Sequence, residues 1–191
     1  TSATAWKDGI LVAAPPNIVY LKDTDGDGVS DEKETFISGF KLGVTDSNLN
    51  SLRWNLDNWI HGANGGNGGN IYFTGKDDVK TPLRNLDFRF RPDIRRLETT
   101  SQTGGGFGLV FNEWGHSFTT YNIDYLQQRI IPQNYIDHAQ NLRSFEATRN
   151  ISRHGKMARI FPISEPETRV NHPEQAGYFS SAGGMGYLGI E

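Results

Sequence analysis

Short runs in which apolar and polar residues alternate follow one another along most of this chain. Glycine, proline, asparagine and aspartate separate the runs, which is typical of short β-strands joined by turns. The pattern predicts a β-protein with one short helix over residues 139–149. The predicted strands are 9–14, 17–22, 34–40, 51–54, 58–63, 70–74, 86–92, 95–100, 106–111 and 116–121.

Three stretches repeat one pattern, a turn followed by an apolar strand. They are WKDGILVAA (6–14), NLDNWIHGA (55–63) and FNEWGHSFTT (111–120). Their starts lie roughly fifty to sixty residues apart, near the ~40–50 residues of a propeller blade. We interpret residues 50–100 as one blade of four strands joined by tight turns. Residues 9–40 then supply three strands of an earlier blade, and a later blade begins near Gly105.

The repeat predicts an all-β fold, a partial β-propeller of about three four-stranded blades. A short irregular or helical insertion is expected near 122–150, and residues 1–191 form one propeller segment. Because three blades are too few to close a ring, we expect the chain to be part of a longer propeller. A self-contained β-sandwich is the alternative fold.

The amino-acid composition excludes several classes of partner and cofactor. The 191 residues carry a net charge of −3, which argues against a nucleic-acid partner. There is no cysteine, so the chain holds no disulfide, thiolate metal site or covalently attached haem. The 22 glycines suit a β-protein with many turns.

The stretch DTDGDGVSDEKE (23–34) has the spacing of a calcium loop. Such a loop places oxygen donors at alternate positions and at its last residue, with glycine at the sixth, which is Gly28 here. Its strand-like flanks predict a calcium-bound hairpin between two strands of one blade, with a solvated acidic turn as the alternative. The predicted ligands are Asp23, Asp25, Asp27, the Val29 carbonyl, Asp31 and Glu34, whose side chain must turn back from the departing strand. Extracellular modules bind calcium at about 10⁻⁴–10⁻³ M, which favours a periplasmic or extracellular location.

Four motifs follow one another in an order that resembles a known family. They are VAAPPNIVYLKDTDGDGVSDEKETFISGF (12–40), NSLRWNLDNWIHGANG (50–65), GGFGLVFNEWGHSF (105–118) and ARIFPISEPETRVNHPEQAGYFSSAGG (158–184). Together they resemble the N-terminal β-propeller of the membrane-bound dehydrogenases of planctomycete-type bacteria, which are relatives of the glucose/sorbosone dehydrogenases. The resemblance implies an exported, multi-bladed propeller that is membrane-associated through parts outside this chain. It also implies oxidation of a sugar or alcohol with pyrroloquinoline quinone at the central face and a cytochrome as electron acceptor.

The chain departs from the quinone-dependent enzymes of this group at two motifs. In those enzymes a catalytic histidine shortly precedes the W-x-x-D motif, whereas TDSNLNSLRW (45–54) contains none. An Arg-Asn pair opens the next blade there, where this chain has GGGFGLVF (104–111). These departures weigh against quinone binding, so calcium is the cofactor that we expect.

Candidate chemistry outside the acidic loop centres on two histidines. His61 and His116 occupy similar places in neighbouring repeats, where a histidine acts as a base toward a sugar hydroxyl or serves as a hydrogen-bonded strand residue. Two histidines in this arrangement would face one central cleft. Arg53 and Asn64 are the candidates for holding a cofactor. The remaining histidines, His138, His154 and His172, lie in irregular sequence without a zinc motif.

Two further features have structural and functional interpretations. The segment FRFRPDIRR (88–96) alternates phenylalanine with arginine, which predicts a solvated outer strand, with an anion or acidic-glycan patch as the alternative. The four tryptophans are expected to pack between blades, and one or two of them to stack on a sugar. They are Trp6, Trp54, Trp59 and Trp114.

The sequence therefore leaves two functions open. The first is the calcium-binding propeller portion of an exported sugar or alcohol dehydrogenase. The alternative is a non-catalytic propeller that binds glycan or protein, or a structural piece of a larger assembly. The expected partners are the rest of its own propeller, a carbohydrate and a cytochrome, and no nucleic acid.

Overall fold

The computed structural model describes residues 2–43, 47–101, 108–139, 146–161, 173–180, 183–184, 186 and 188. Within these residues the chain is nearly all-β, with curled antiparallel sheets that form a half-barrel and one short helix. The predicted all-β class is therefore confirmed. Across the same residues, no helix combines the length and the apolar character needed to cross a membrane.

The described strands form three antiparallel sheets. In chain order they are β1 (Ala3–Trp6), β2 (Gly9–Ala14), β3 (Asn17–Lys22), β4 (Glu32–Phe40), β5 (Asn50–Trp54), β6 (Ile60–Ala63), β7 (Gly69–Phe73), β8 (Thr81–Pro82), β9 (Phe88–Arg91), β10 (Arg96–Thr99), β11 (Gly108–Phe111), β12 (Ser117–Thr120), β13 (Gln127–Arg129) and β14 (Thr148–Asn150), with helix α1 (Gln133–His138) between β13 and β14. The first sheet has the order β1-β2-β3-β4-β7-β8. The predicted strands 9–14, 17–22 and 34–40 are confirmed as β2, β3 and β4.

Residues 50–100 contain a four-stranded sheet, but its strands are not consecutive in the chain. The second sheet has the order β10-β9-β6-β5, while β7 and β8, which follow β6, join the edge of the first sheet beside β4. The prediction that tight turns join four consecutive strands was wrong. Aromatic packing explains the detour, because the ring of Phe73 in β7 packs edge-on against Phe36, with centroids 5.3 Å apart. Gly39 permits the close approach, since a Cβ there would lie 2.1 Å from the carbonyl oxygen of Asn70.

The third sheet has the order β11-β12-β13-β14 in the described part of the chain. The insertion near 122–150 contains a helix, as predicted, but the helix was misplaced. It spans Gln133–His138, residues 140–145 of the predicted helix lie outside the described residues, and Thr148–Asn150 is a strand. Pro132 suits the position before the first helical turn, while Thr148 is β-branched and pairs with Arg129 of β13.

The main core lies between the first and second sheets. It joins apolar side chains from β2, β3 and β4 to others from β5, β6, β7 and β9. Phe88 and Phe90 are fully buried, while the intervening Arg89 and Arg91 are partly exposed. One face of FRFRPDIRR therefore packs, as predicted, and each buried phenylalanine contributes about 1.5–3 kcal/mol of transfer free energy.

The three predicted repeats all form the first hairpin of a sheet, namely β1–β2, β5–β6 and β11–β12. A serine links each first strand to the next. The Leu52 N–H donates to Ser2 Oγ (2.7 Å), and the Leu109 N–H donates to Ser51 Oγ (3.2 Å). A serine hydrogen bond thus recurs between successive sheets, and β5 contacts both β1 and β11.

Candidate functional site

The acidic loop forms a hairpin between β3 and β4, as its flanks predicted. Gly26 (φ 81°) and Gly28 (φ 86°) take the left-handed backbone conformation that the turn requires. Carboxylate oxygens of Asp23, Asp25 and Asp27 lie within 4.8 Å of one another. The structure therefore brings three of the six predicted calcium ligands together.

The other predicted ligands have different partners. Asp31 Oδ2 accepts hydrogen bonds from the N–H and the hydroxyl of Thr24, at 2.6 and 2.7 Å. The Val29 N–H donates to Asp27 Oδ1 (2.7 Å). Glu34 lies on β4, where its Oε1 is 3.6 Å from Arg95 Nη2. In this arrangement the Glu34 carboxylate belongs to an ion pair rather than to the aspartate cluster.

Hydrogen bonds within the loop keep two of its carboxylates ionised. Backbone N–H groups of Gly28 and Gly26 donate to Asp23 and lower the pKa of its carboxyl group. Thr24 lowers the pKa of Asp31 in the same way through its hydroxyl and its N–H. Both side chains are therefore anionic at neutral pH, which is the form that binds a hard cation.

A cavity of about 260 Å³ lies between the second and third sheets. Strands β6, β9 and β10 line one side of it, and β11, β12 and β13 line the other. Its rim carries the exposed residues Asp57, His116, Ile130 and Pro132. Both predicted histidines line it, His61 from β6 and His116 from the β11–β12 turn.

His61 and Asp57 form a hydrogen-bonded pair at this cavity. His61 Nε2 lies 3.0 Å from Asp57 Oδ2, and the His61 side chain is 8% exposed. The Trp59 N–H donates to Asp57 Oδ1 (3.0 Å), which fixes the carboxylate in the β5–β6 turn. The ring of Phe111 meets the imidazole edge-on, with centroids 4.9 Å apart. The β5–β6 turn, through Asp57, and the ring of Phe111 together hold the His61 imidazole in one orientation.

The protonation state of the pair follows from its surroundings. Burial lowers the pKa of His61 below its ordinary value, although the neighbouring Asp57 carboxylate opposes the shift. Burial acts to raise the pKa of Asp57, but the hydrogen bond with His61 and the charge of Arg89 hold it below the usual value. Because an ionised carboxylate only accepts hydrogen bonds, a neutral His61 carries its proton on Nε2 and a lone pair on Nδ1.

Two arginines line the cavity, and each is paired with a carboxylate. Arg89 Nη1 lies 3.1 Å from Asp57 Oδ2, and its Nη2 lies 2.6 Å from Glu98 Oε2. Arg129 Nη2 pairs with Asp87, and these side chains are 7% and 1% exposed. The cavity therefore carries no excess of positive charge from its guanidinium groups.

Among the described residues that line the cavity, three buried polar atoms have no hydrogen-bond partner. They are His61 Nδ1, Ser117 Oγ and Arg129 Nε. His61 Nδ1 can accept a hydrogen bond, and Arg129 Nε can donate one. The Ser117 hydroxyl can donate or accept. An unpartnered buried polar atom costs about 1–3 kcal/mol, so such atoms are normally satisfied by a water molecule or a ligand. Three unpartnered polar atoms therefore belong to residues that line one cavity.

The other candidates lie away from this set. Arg53 is exposed on β5 and does not line the cavity. Asn64 is 1% exposed, and its N–H donates to Asp87 Oδ1 (2.7 Å), so it supports the partner of Arg129. His138 and His154 are exposed. His172 lies outside the described residues.

Sequence reasoning missed most of the polar groups around the histidines. Asp57 had a usable signal, because it stands four residues before His61 inside the repeat. Ser117 also lies inside a repeat, directly after His116. Arg129 and its partner Asp87 are 42 residues apart, and no local pattern joins them.

The described residues form an all-β protein with one six-stranded and two four-stranded antiparallel sheets, and a polar cavity lies between the second and third sheets. A family model described as a domain of unknown function (DUF7133) matches residues 1–189, and the chain belongs to this family. Searches of curated proteins and of solved structures found no match.

Proposed function

We propose that the chain binds a neutral, carbohydrate-like ligand in the cavity between its second and third sheets. The observation that carries this proposal is the set of three buried atoms without partners, His61 Nδ1, Ser117 Oγ and Arg129 Nε. Every sugar hydroxyl donates and accepts a hydrogen bond, so neighbouring hydroxyls match an adjoining acceptor and donor. The volume of about 260 Å³ lies just below the range of about 300–1,000 Å³ of drug-sized pockets, which suits a single sugar ring.

The charge balance favours a neutral ligand over an anion. Arg89 is shared by Asp57 and Glu98, and Arg129 is paired with Asp87. An anionic ligand would have to compete with carboxylates that already hold these guanidinium groups. This pairing supports binding of a glycan without acidic groups. It weighs against the alternative that the arginines of FRFRPDIRR bind an acidic glycan.

The surrounding scaffold is proposed to be three blades of a β-propeller. The repeated first hairpins support this, as do the equivalent serine hydrogen bonds between β1 and β5 and between β5 and β11. Further blades would complete the ring. Residues 69–82 would then be an insertion that ties the second blade to the outer strand of the first.

The Asp57–His61 pair favours a second function, a sugar or alcohol dehydrogenase. In that reaction a neutral His61 would accept the hydroxyl proton on Nδ1, Asp57 would stabilise the resulting imidazolium, and the hydride from the carbinol carbon would pass to a two-electron acceptor, which is the added dye in the assay below. Pyrroloquinoline quinone does not fit this cavity, because it is a three-ring tricarboxylate and both guanidinium groups are already neutralised. No step of the reaction is therefore assigned to a quinone bound there.

The acidic hairpin is proposed to bind one calcium ion and to stabilise the link between β3 and β4. The clustered oxygens of Asp23, Asp25 and Asp27 and the lowered pKa of Asp23 support this. We assign to this loop the affinity of extracellular modules, about 10⁻⁴–10⁻³ M, at which it fills only where calcium is abundant. We therefore propose that the protein works in the periplasm or outside the cell.

Isothermal titration calorimetry of the full-length protein with a panel of neutral monosaccharides, including D-glucose, tests the binding proposal. At least one sugar should bind, and Ser117→Ala should weaken it about tenfold, because one hydrogen bond is worth about 1 kcal/mol or somewhat more. His61→Phe should weaken it at least as much. His154→Ala, which removes an exposed histidine outside the cavity, should bind normally. Absence of binding to every sugar, or equal affinities in all variants, would refute the proposal.

A dye-reduction assay on the same proteins separates binding from oxidation. Turnover in the wild type supports the dehydrogenase if His61→Phe abolishes it even at saturating sugar, while Ser117→Ala raises KM and keeps kcat. Sugar binding without turnover leaves the cavity as a binding site and removes the catalytic role of His61.

A further inference from the structure

Two exposed apolar side chains stand beside the cavity, Leu56 (69% exposed) and Trp114 (70% exposed). We call them the Leu56–Trp114 ledge. Leu56 belongs to the β5–β6 turn and Trp114 to the β11–β12 turn, so each sheet contributes one side chain. Neither residue lines the cavity itself.

Contacts between the two turns place the ledge at the cavity rim. Asn55 Nδ2 donates to the carbonyl oxygen of Gly115 (3.4 Å), and both residues line the cavity. A Cβ on Gly115 would lie 3.7 Å from Leu56 Cδ1. Leu56 and Trp114 are the chain neighbours of these two lining residues, which places both ledge residues next to the rim of the cavity.

Hydrogen bonds order the backbone of the β11–β12 turn at Trp114. Asn112 Oδ1 accepts hydrogen bonds from the N–H groups of Trp114 (3.2 Å) and His116 (2.8 Å). The His116 ring lies 6.2 Å from the Trp114 ring, centroid to centroid. The indole is thus presented to solvent by a structured turn.

The other three tryptophans make contacts within the fold. Trp6 packs against the rings of Tyr20 and Phe36, and Trp54 Nε1 donates to the carbonyl oxygen of Ala5 (2.9 Å). Arg89 covers Trp59 at 4.5 Å. Among the described residues, the ring contact of Trp114 is with His116 of its own turn, and the residue is 70% exposed, so packing between sheets does not account for it.

We infer that the ligand contains at least two sugar units, one in the cavity and the next stacked on the Leu56–Trp114 ledge. This inference rests on the proposed carbohydrate binding. The cavity has room for one ring, and the C–H face of a pyranose is the apolar surface that an exposed indole binds, while the ring hydroxyls stay in water. Trp114 is then a specificity residue that distinguishes an oligosaccharide from a monosaccharide.

The test compares disaccharides of different linkage, including cellobiose and maltose, with D-glucose in titration calorimetry of the full-length protein. At least one disaccharide should bind the wild type about two- to tenfold more tightly than its monosaccharide, since aromatic contacts of this size contribute about 0.5–1.5 kcal/mol. Trp114→Ala should lose that gain and keep monosaccharide affinity, while Trp114→Phe, which keeps a ring, should retain much of it. Phe161→Ala removes an exposed aromatic outside the cavity and should change nothing.

The outcomes separate this inference from the binding proposal. Monosaccharide binding without any disaccharide gain, or a gain that survives in Trp114→Ala, overturns the ledge inference alone. Absence of all sugar binding overturns both. Self-association of the wild type in light scattering that Trp114→Ala abolishes would identify the ledge as a contact between copies and would also overturn the inference.

Discussion

At the scale of single residues, the chemistry of the cavity depends on which nitrogen of His61 carries the proton. Asp57 Oδ2 lies 3.0 Å from Nε2, and Nδ1 is buried without a partner among the described residues. The carboxylate therefore sets the tautomer, and burial keeps the ring neutral. His61, which lines the cavity, therefore carries an unpartnered lone pair on Nδ1.

The titration of His61 tests this view. NMR of the imidazole signals should give a midpoint below the ordinary value of about 6.5, because burial disfavours the charged ring. In Asp57→Asn the midpoint should fall further, since the carboxylate that favours the charged ring is gone. Sugar affinity should decline as the pH falls through the wild-type midpoint. A midpoint at or above about 6.5 in the wild type would contradict the proposed neutral base.

At the scale of structural elements, the β3–β4 hairpin shows how a loop sequence and its flanks act together. Gly26 and Gly28 make the turn, and the aspartates between and around them accept its backbone N–H groups. The same aspartates crowd their oxygens together, which costs repulsion unless a cation balances it. The hairpin is thus the element whose stability calcium should change most.

Calcium should raise the melting temperature of the protein. With millimolar sites, 10 mM calcium stabilises by about 1.4–2.7 kcal/mol, which corresponds to roughly 3–10 °C for a domain of this size. Asp25→Ala should reduce the shift, and Asp78→Ala, an exposed aspartate in another turn, should not. An identical melting curve with calcium and with a chelator would show that the hairpin is a solvated acidic turn.

At the scale of the whole molecule, the three sheets are joined by different kinds of contact. The first and second share the apolar core. The second and third meet around the polar cavity, where the buried Asp87–Arg129 pair crosses between them. Arg129 also donates to Thr100 Oγ1 (3.3 Å). Asp87 and Thr100, which flank strands of the second sheet, therefore both bind this one arginine of the third sheet.

Breaking the buried pair should weaken the molecule strongly. Asp87→Ala leaves the Arg129 guanidinium buried without its carboxylate and should lower the free energy of unfolding by about 3–5 kcal/mol. The exposed pair Arg91–Asp93 is the control, and Asp93→Ala should cost about 1 kcal/mol or less. Denaturant unfolding of the two variants measures both values. Equal losses would mean that the Asp87–Arg129 pair is no more important than a surface pair.

The sequence predicts the local parts of this structure better than the distant ones. Alternation and turn residues located β2, β3 and β4, and the repeat located the hairpins that carry His61 and His116. The β7–β8 detour depends on Phe73 meeting Phe36 across a long gap in the chain, which no local pattern reveals. The cavity likewise exists only because Arg129 and Ser117 of one sheet meet His61 of another.

The central claim is that the cavity between the second and third sheets binds a sugar. A crystal structure of the full-length protein soaked with the sugar that binds best tests it most directly. One sugar ring should lie between the two sheets, with oxygens within hydrogen-bond distance of His61 Nδ1, Ser117 Oγ and Arg129 Nε. A sugar bound elsewhere, with only water at these three atoms, would contradict it.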